Sequence, residues 1–232
     1  MKYLFTERFS TTLQVIALVC LISYSGFTAN RDSQMKSLAD STFIKQTAAE
    51  LKITMHNLWD DNATWTRTVL LCYIDDLPGK EQATKRLLQN QEEIGNSIKP
   101  YYGLEAGRKL TLLLNNHLQI SAEMVYAAKS KNIQQLKEVN KSWHENAEEI
   151  SAFLSKRNSE WTFTDLKEIM NQQIKLITDQ VQLRMNKNYD ADIIAYDKVH
   201  AEILKMSVLI SNGIVKQFPE KFVPQVAATA SK

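Results

Sequence analysis

From about residue 42 the chain repeats apolar positions at spacings of three and four, the period of an amphipathic helix. Ile44, Ala48, Leu51, Met55, Leu58, Trp65 and Val69 form one such seam. It predicts a helix capped by Thr42 and stopped at Pro78-Gly79 after Leu77. A second helix is expected over about 80–97, ending before Pro100. A third, over about 104–129, carries Leu110, Leu113, Leu114, Ile120, Met124 and Val125 on one face. Asn132 is placed to cap a fourth that ends near Arg157 and buries Ile133, Leu136, Val139, Trp143, Ile150 and Phe153. Thr162 with Asp165 three residues on has the form of a capping box and opens a fifth, to about Lys187. A sixth covers about 190–217 and stops at Pro219.

The pattern therefore predicts an all-α protein, an up-and-down helical bundle of four long helices plus one or two additional helices. The bundle occupies about 42–222. A flexible lead-in precedes it over about 30–41, and a disordered tail follows over about 223–232. Val69 to Ile74, followed by Asp75-Asp76, has a second reading as a buried strand ending in a metal-binding acidic pair. The helix reading is preferred, because the first seam runs on through these residues and no partner strand is in evidence. Composition agrees. Six Gly and four Pro in 232 residues leave little material for the turns of a many-stranded protein.

Residues 1–29 have a different character. Lys2 and Arg8 precede an apolar stretch, Leu13 to Ile22, interrupted only by Gln14; Ser23, Ser25, Gly26, Thr28 and Ala29 follow. A basic start, a short apolar centre and a small-residue exit make the pattern of a secretory signal peptide. Cleaved, it would release the bundle; retained, it would serve as an N-terminal membrane anchor. Both outcomes place the bundle outside the cytoplasm, periplasmic or secreted. Cleavage would leave Cys72 without an intramolecular disulfide partner, since Cys20 lies inside the signal. Cys72 reads as a small buried hydrophobe.

Net charge is +2, with 28 basic and 26 acidic residues well mixed. This lacks the concentrated positive field of a nucleic-acid binder. Membrane contact is expected only through the N-terminal segment.

Candidate chemistry lies on the seams. Asn62, His117, Gln173 and His200 each fall among apolar positions of a different long helix. Buried polar groups need partners, so the four are expected to meet as a polar core layer of two imidazoles and two carboxamides. His117 and His200, with Asp197 one turn before His200, could ligate a transition metal; two facing histidines could also ligate haem iron. The competing reading is a hydrogen-bonded structural layer that fixes helix register. A third is a cavity for a small ligand lined by Trp59, Trp65, Arg67 and Tyr102. Arg67 is expected to stack on aromatics or to pair with Asp60 or Asp61, and His56 and His144 to be solvated. No Ser-His-Asp or Cys-His arrangement can be assembled. The expected character is non-enzymatic, with a small ligand, metal or protein as partner.

Four segments carry a resemblance: Leu58-Trp59-Asp60-Asp61-Asn62-Ala63-Thr64-Trp65-Thr66-Arg67, Leu88-Gln89-Asn90-Gln91-Glu92-Glu93-Ile94-Gly95, Tyr196-Asp197-Lys198-Val199-His200 and Gly213-Ile214-Val215-Lys216-Gln217-Phe218-Pro219. They are similar to an uncharacterised family of exported bacterial helical-bundle proteins, over most of residues 50–222. Some of its members carry the names glycosyltransferase or acetylglutamate kinase. Those activities need parallel strands and phosphate-binding loops, and the pattern here offers neither. The resemblance implies histidine in relatives where this chain has Asn62 and Gln173, a departure that weakens a four-histidine metal site.

Overall fold

The computed structural model describes residues 46–223. The expectations of a signal or anchor, a lead-in and a Thr42 cap fall outside them, as does nearly all of the expected tail. Among the described residues are six helices: α1 (Ala48–Ile74), α2 (Lys80–Tyr102), α3 (Leu104–Lys129), α4 (Ile133–Ser155), α5 (Phe163–Met185) and α6 (Tyr189–Gln217). A short 3-10 turn, Pro219–Lys221, follows α6. Beyond it β2 (Phe222–Val223) pairs in parallel with β1 (Gln46–Thr47). Val69 to Ile74 are helical, so the strand reading of that stretch is excluded.

Caps account for most of the helix starts. Thr47 Oγ1 accepts the Glu50 N–H at 3.1 Å while Glu50 Oε2 accepts the Thr47 N–H at 2.7 Å, a reciprocal pair that satisfies two orphan donors. Asn132 caps α4 as expected, accepting from the Gln135 N–H at 3.0 Å. Thr162 Oγ1 accepts the Asp165 N–H at 3.1 Å, which is half of the expected capping box. Asn188 caps α6 through the Ala191 N–H.

The second helix does not stop before Pro100 but runs two residues past it. Proline in the last turn costs one backbone hydrogen bond, and packing offsets that cost. Tyr101 lies 5.9 Å from the Phe222 ring, and Tyr102 lies 5.2 Å from Trp161 and 5.3 Å from Phe218. Lys221 Nζ also donates to the Pro100 carbonyl at 2.8 Å. Gly103, at φ 86°, supplies the left-handed residue that ends the helix. With this extension α2 reaches 23 residues, as long as α4 or α5, and the six helices together make the expected all-α bundle.

Each helix packs on its chain neighbours, and α1 also packs on α6, which closes the ring; α1 reaches α3 and α5 as well. The main core includes Met55, Trp59, Ile98, Trp143, Ile150, Trp161, Met170 and Met206. A separate satellite cluster of Val69, Cys72, Ala83, Leu87 and Leu118 lies among α1, α2 and α3, with Cys72 buried as expected. Three glycines, Gly95, Gly107 and Gly213, permit close approaches. A Cβ on Gly95 would lie 2.6 Å from the Gly107 carbonyl oxygen, and one on Gly213 would lie 2.0 Å from Trp161 Nε1. No helix among the described residues is long and apolar enough to cross a membrane.

Candidate functional site

The four seam residues face partners on adjacent helices, and none of them hydrogen-bonds another. His117 on α3 is the most constrained. Trp143 of α4 donates its indole N–H to His117 Nε2 at 2.9 Å, and His117 Nδ1 lies 2.7 Å from Asn146 Oδ1. An indole can only donate and an amide oxygen can only accept, so the pair of contacts assigns one neutral tautomer, with the proton on Nδ1. Asn146 is itself held by donating Nδ2–H to the Leu113 carbonyl at 3.3 Å. Burial lowers the His117 pKa to about 4; its hydrogen bond to Asn146 opposes that shift and the nearby His144 adds slightly to it.

Asn62 on α1 donates to Asn90 Oδ1 of α2 at 3.2 Å, and Asn90 donates to the Leu58 carbonyl at 2.9 Å. Gln173 on α5 is buried and donates to the Glu202 carbonyl of α6 at 3.4 Å. His200 on α6 lies with Nε2 2.7 Å from Asp60 Oδ1 of α1, in a pair whose side chains are about one-third and one-half exposed. The polar groups therefore join helices two at a time: α1 to α2, α3 to α4, α5 to α6 and α6 to α1.

The expected metal set of His117, His200 and Asp197 is not assembled. Both ring nitrogens of His117 are engaged within the fold. His200 takes Asp60 as its partner, and Asp197 is exposed. Helix geometry explains Asp197: three residues before His200 it shares part of that face, but the face there turns to water. Among the described residues no group of three or more His, Cys, Asp or Glu side chains is placed to hold a metal ion.

No family model, no curated protein and no solved structure matches this chain.

The expected pocket residues are likewise dispersed. Trp59 is in the main core, with a buried indole N–H that has no partner among the described residues. Trp65 borders the satellite cluster under the Arg86 guanidinium, 5.6 Å from its ring centre. Tyr102 sits at the other end of the bundle, accepting from Asn158 Nδ2 at 2.9 Å and donating to Gln217 Oε1 at 2.8 Å; burial raises its pKa to about 12. Three surface grooves, of about 610, 510 and 300 Å³, are lined by none of Trp59, Trp65, Arg67 and Tyr102.

Arg67 pairs with neither Asp60 nor Asp61. Its two terminal nitrogens grip Asp192 of α6, 125 residues away, and its guanidinium lies 5.1 Å from the Tyr196 ring centre. Asp192 is fully buried and also accepts from Gln180 and Arg184, and Arg184 in turn binds Asp75 at the end of α1. Burial pushes the Asp192 carboxyl pKa up, but the hydrogen bonds and charge of Arg67, with Gln180 and Arg184, outweigh it and hold the pKa below the ordinary value. His144, expected to be solvated, instead lies with Nδ1 2.6 Å from Asn171 Oδ1; His56 is exposed.

Asn90 and Asn146 are the partners that seam reading missed. Both carry the signal that singled out the other four: Asn90 lies between Leu87 and Ile94, and Asn146 three residues after Trp143. Asp192 gave no such signal, because it sits in the first turn of a helix where acidic residues are ordinary.

Proposed function

We propose that this chain is a non-enzymatic binding module delivered outside the cytoplasm, a rigid bundle that works through its outer surfaces. One observation carries the reading. The four polar residues of the helix seams, Asn62, His117, Gln173 and His200, are each paired with an adjacent helix, and His117 is held neutral with both nitrogens occupied. Such pairing fixes helix register and rotation, because an unpaired buried polar group would cost about 1–3 kcal/mol. The basic, apolar and small-residue order of residues 2–29 supports export, as does the resemblance to exported helical bundles.

The test uses the full chain expressed in a bacterium. Fractionation is expected to find it outside the cytoplasm, and Val19→Asp, which places a charge in the apolar centre, is expected to retain it inside. The purified protein is expected to lack both stoichiometric transition metal and a Soret band. A metal or haem signal lost in both His117→Gln and His200→Gln would overturn the non-enzymatic reading. Cytoplasmic retention of the unaltered chain would overturn the export reading.

A further inference from the structure

The outward stripe of α6 carries Ile194, Ala201 and Val208 at heptad intervals, the spacing that keeps residues on one line of a helix facing a second helix. Ile194 and Val208 are 59% and 57% exposed, and Ala201 is exposed between them. Ala201 and Val208 also line the groove of about 510 Å³ beside α6, together with half-buried Ile169 and Leu209. Covering this line would take aliphatic surface out of water.

The stripe complements its own reverse. Turned end for end about Ala201, a second α6 sets Val208 against Ile194 and Lys205 against Asp197, and twofold symmetry repeats both pairings. Asp197 and Lys205 are both exposed. Lys205 holds Glu202 of its own helix at 2.7 Å, and an ammonium has two further donors for a carboxylate arriving from outside. Lys198, at the edge of the stripe, falls opposite Leu204, and Asp190 falls opposite Asn212, so no like charges are opposed. Ala201 meets itself at the centre, where a small residue lets two helices approach closely. We propose that α6 is a self-association face, on which a second copy of this chain packs antiparallel with Ala201 on the twofold axis. The pairing rests on the reading that the bundle works through its outer surfaces, and it names the partner for one of them.

The test is cross-linking of the full chain in a Cys20→Ser background, where Cys72 is buried and an added thiol reports its own position. Ala201→Cys places two thiols across the axis and is expected to give a reducible dimer on mild oxidation. Ile53→Cys, at a position 60% exposed on α1, is expected to give none. Adding Asp197→Lys or Lys205→Asp to Ala201→Cys opposes like charges twice, and each is expected to lower the yield about fivefold or more, the equivalent of about 1 kcal/mol. Mixing those two proteins restores opposite charges at both pairings, so the yield is expected to recover. No dimer from Ala201→Cys, an equal dimer from Ile53→Cys, or a mixture that stays monomeric would each overturn the proposal. A monomeric chain outside the cytoplasm would remove the pairing alone, whereas a dimer retained in the cytoplasm would remove the export reading alone.

Discussion

Trp143 donates its indole N–H to His117 Nε2 across the α3–α4 interface at 2.9 Å, and this contact sets the chemical state of the histidine. With Nε2 committed as an acceptor, the ring can offer Asn146 only the Nδ1 proton, and protonating the ring would break the Trp143 bond. A residue that reads in sequence as a metal ligand is thereby made a neutral cross-link between two helices.

His117 confers a specific pH dependence. Its folded pKa of about 4 lies below the ordinary value of 6.5, so the folded protein binds the proton less well than the unfolded chain. The contribution is fully present above pH 6.5 and is lost as pH falls from about 6.5 to 4, by roughly 3 kcal/mol. Urea unfolding of the unaltered protein over that window is expected to show the loss, and His117→Gln to flatten it. Parallel curves for the two proteins would contradict the assignment.

Trp143→Phe keeps most of the buried ring but leaves His117 Nε2 without a donor. A destabilisation of about 1–3 kcal/mol is expected in urea. The His117 pKa, followed by NMR, should move up from about 4, because protonation no longer competes with the indole. An unmoved pKa would mean that the indole contact does not control the ring.

Asp192→Asn tests the buried ion cluster. The carboxylate is fully buried between Arg67 and Arg184, and its loss leaves Arg67 short of its counter-charge. An unfolding cost of about 3–5 kcal/mol is expected. Asp60→Asn, at the half-exposed pair with His200, should cost less than about 1 kcal/mol. Comparable losses in the two variants would contradict the ranking of buried over exposed pairs.

Gly213→Ala places a methyl group where Trp161 Nε1 now lies, 2.0 Å away, and that indole is fixed by donating to the Leu209 carbonyl at 3.1 Å. The tryptophan cannot move aside without losing its bond, so a cost of about 1–3 kcal/mol is expected, read as a lowered melting temperature. An unchanged melting temperature would show that α6 can yield at this position.

The helices were legible because a 3.6-residue apolar period survives in each of them, and capping residues such as Asn132 and Thr162 mark their starts. Pro100 misled, since a local rule for ending helices yields where Tyr101 and Tyr102 gain aromatic partners from the far end of the chain. The inward bias of Asn62, His117 and Gln173 could be read from their positions on the apolar seams. Their partners could not, because pairing depends on which helices are adjacent and at what depth. Arg67 shows the limit most clearly: Asp60 and Asp61 are near in sequence, yet the closing of α6 onto α1 delivers Asp192 instead. Extending the seam test to α2 and α4 would have found Asn90 and Asn146.

The most direct test of the pairwise polar core is a long-range ¹H–¹⁵N correlation spectrum of the histidine rings, recorded across pH 3 to 8 with and without Zn²⁺ (roughly the interval in which imidazoles titrate). His117 is expected to show a single neutral form protonated on Nδ1 at pH 7, to titrate near pH 4, and to ignore the metal. A His117 that titrates near 6.5, shows the other tautomer, or shifts with Zn²⁺ together with His200 would contradict it.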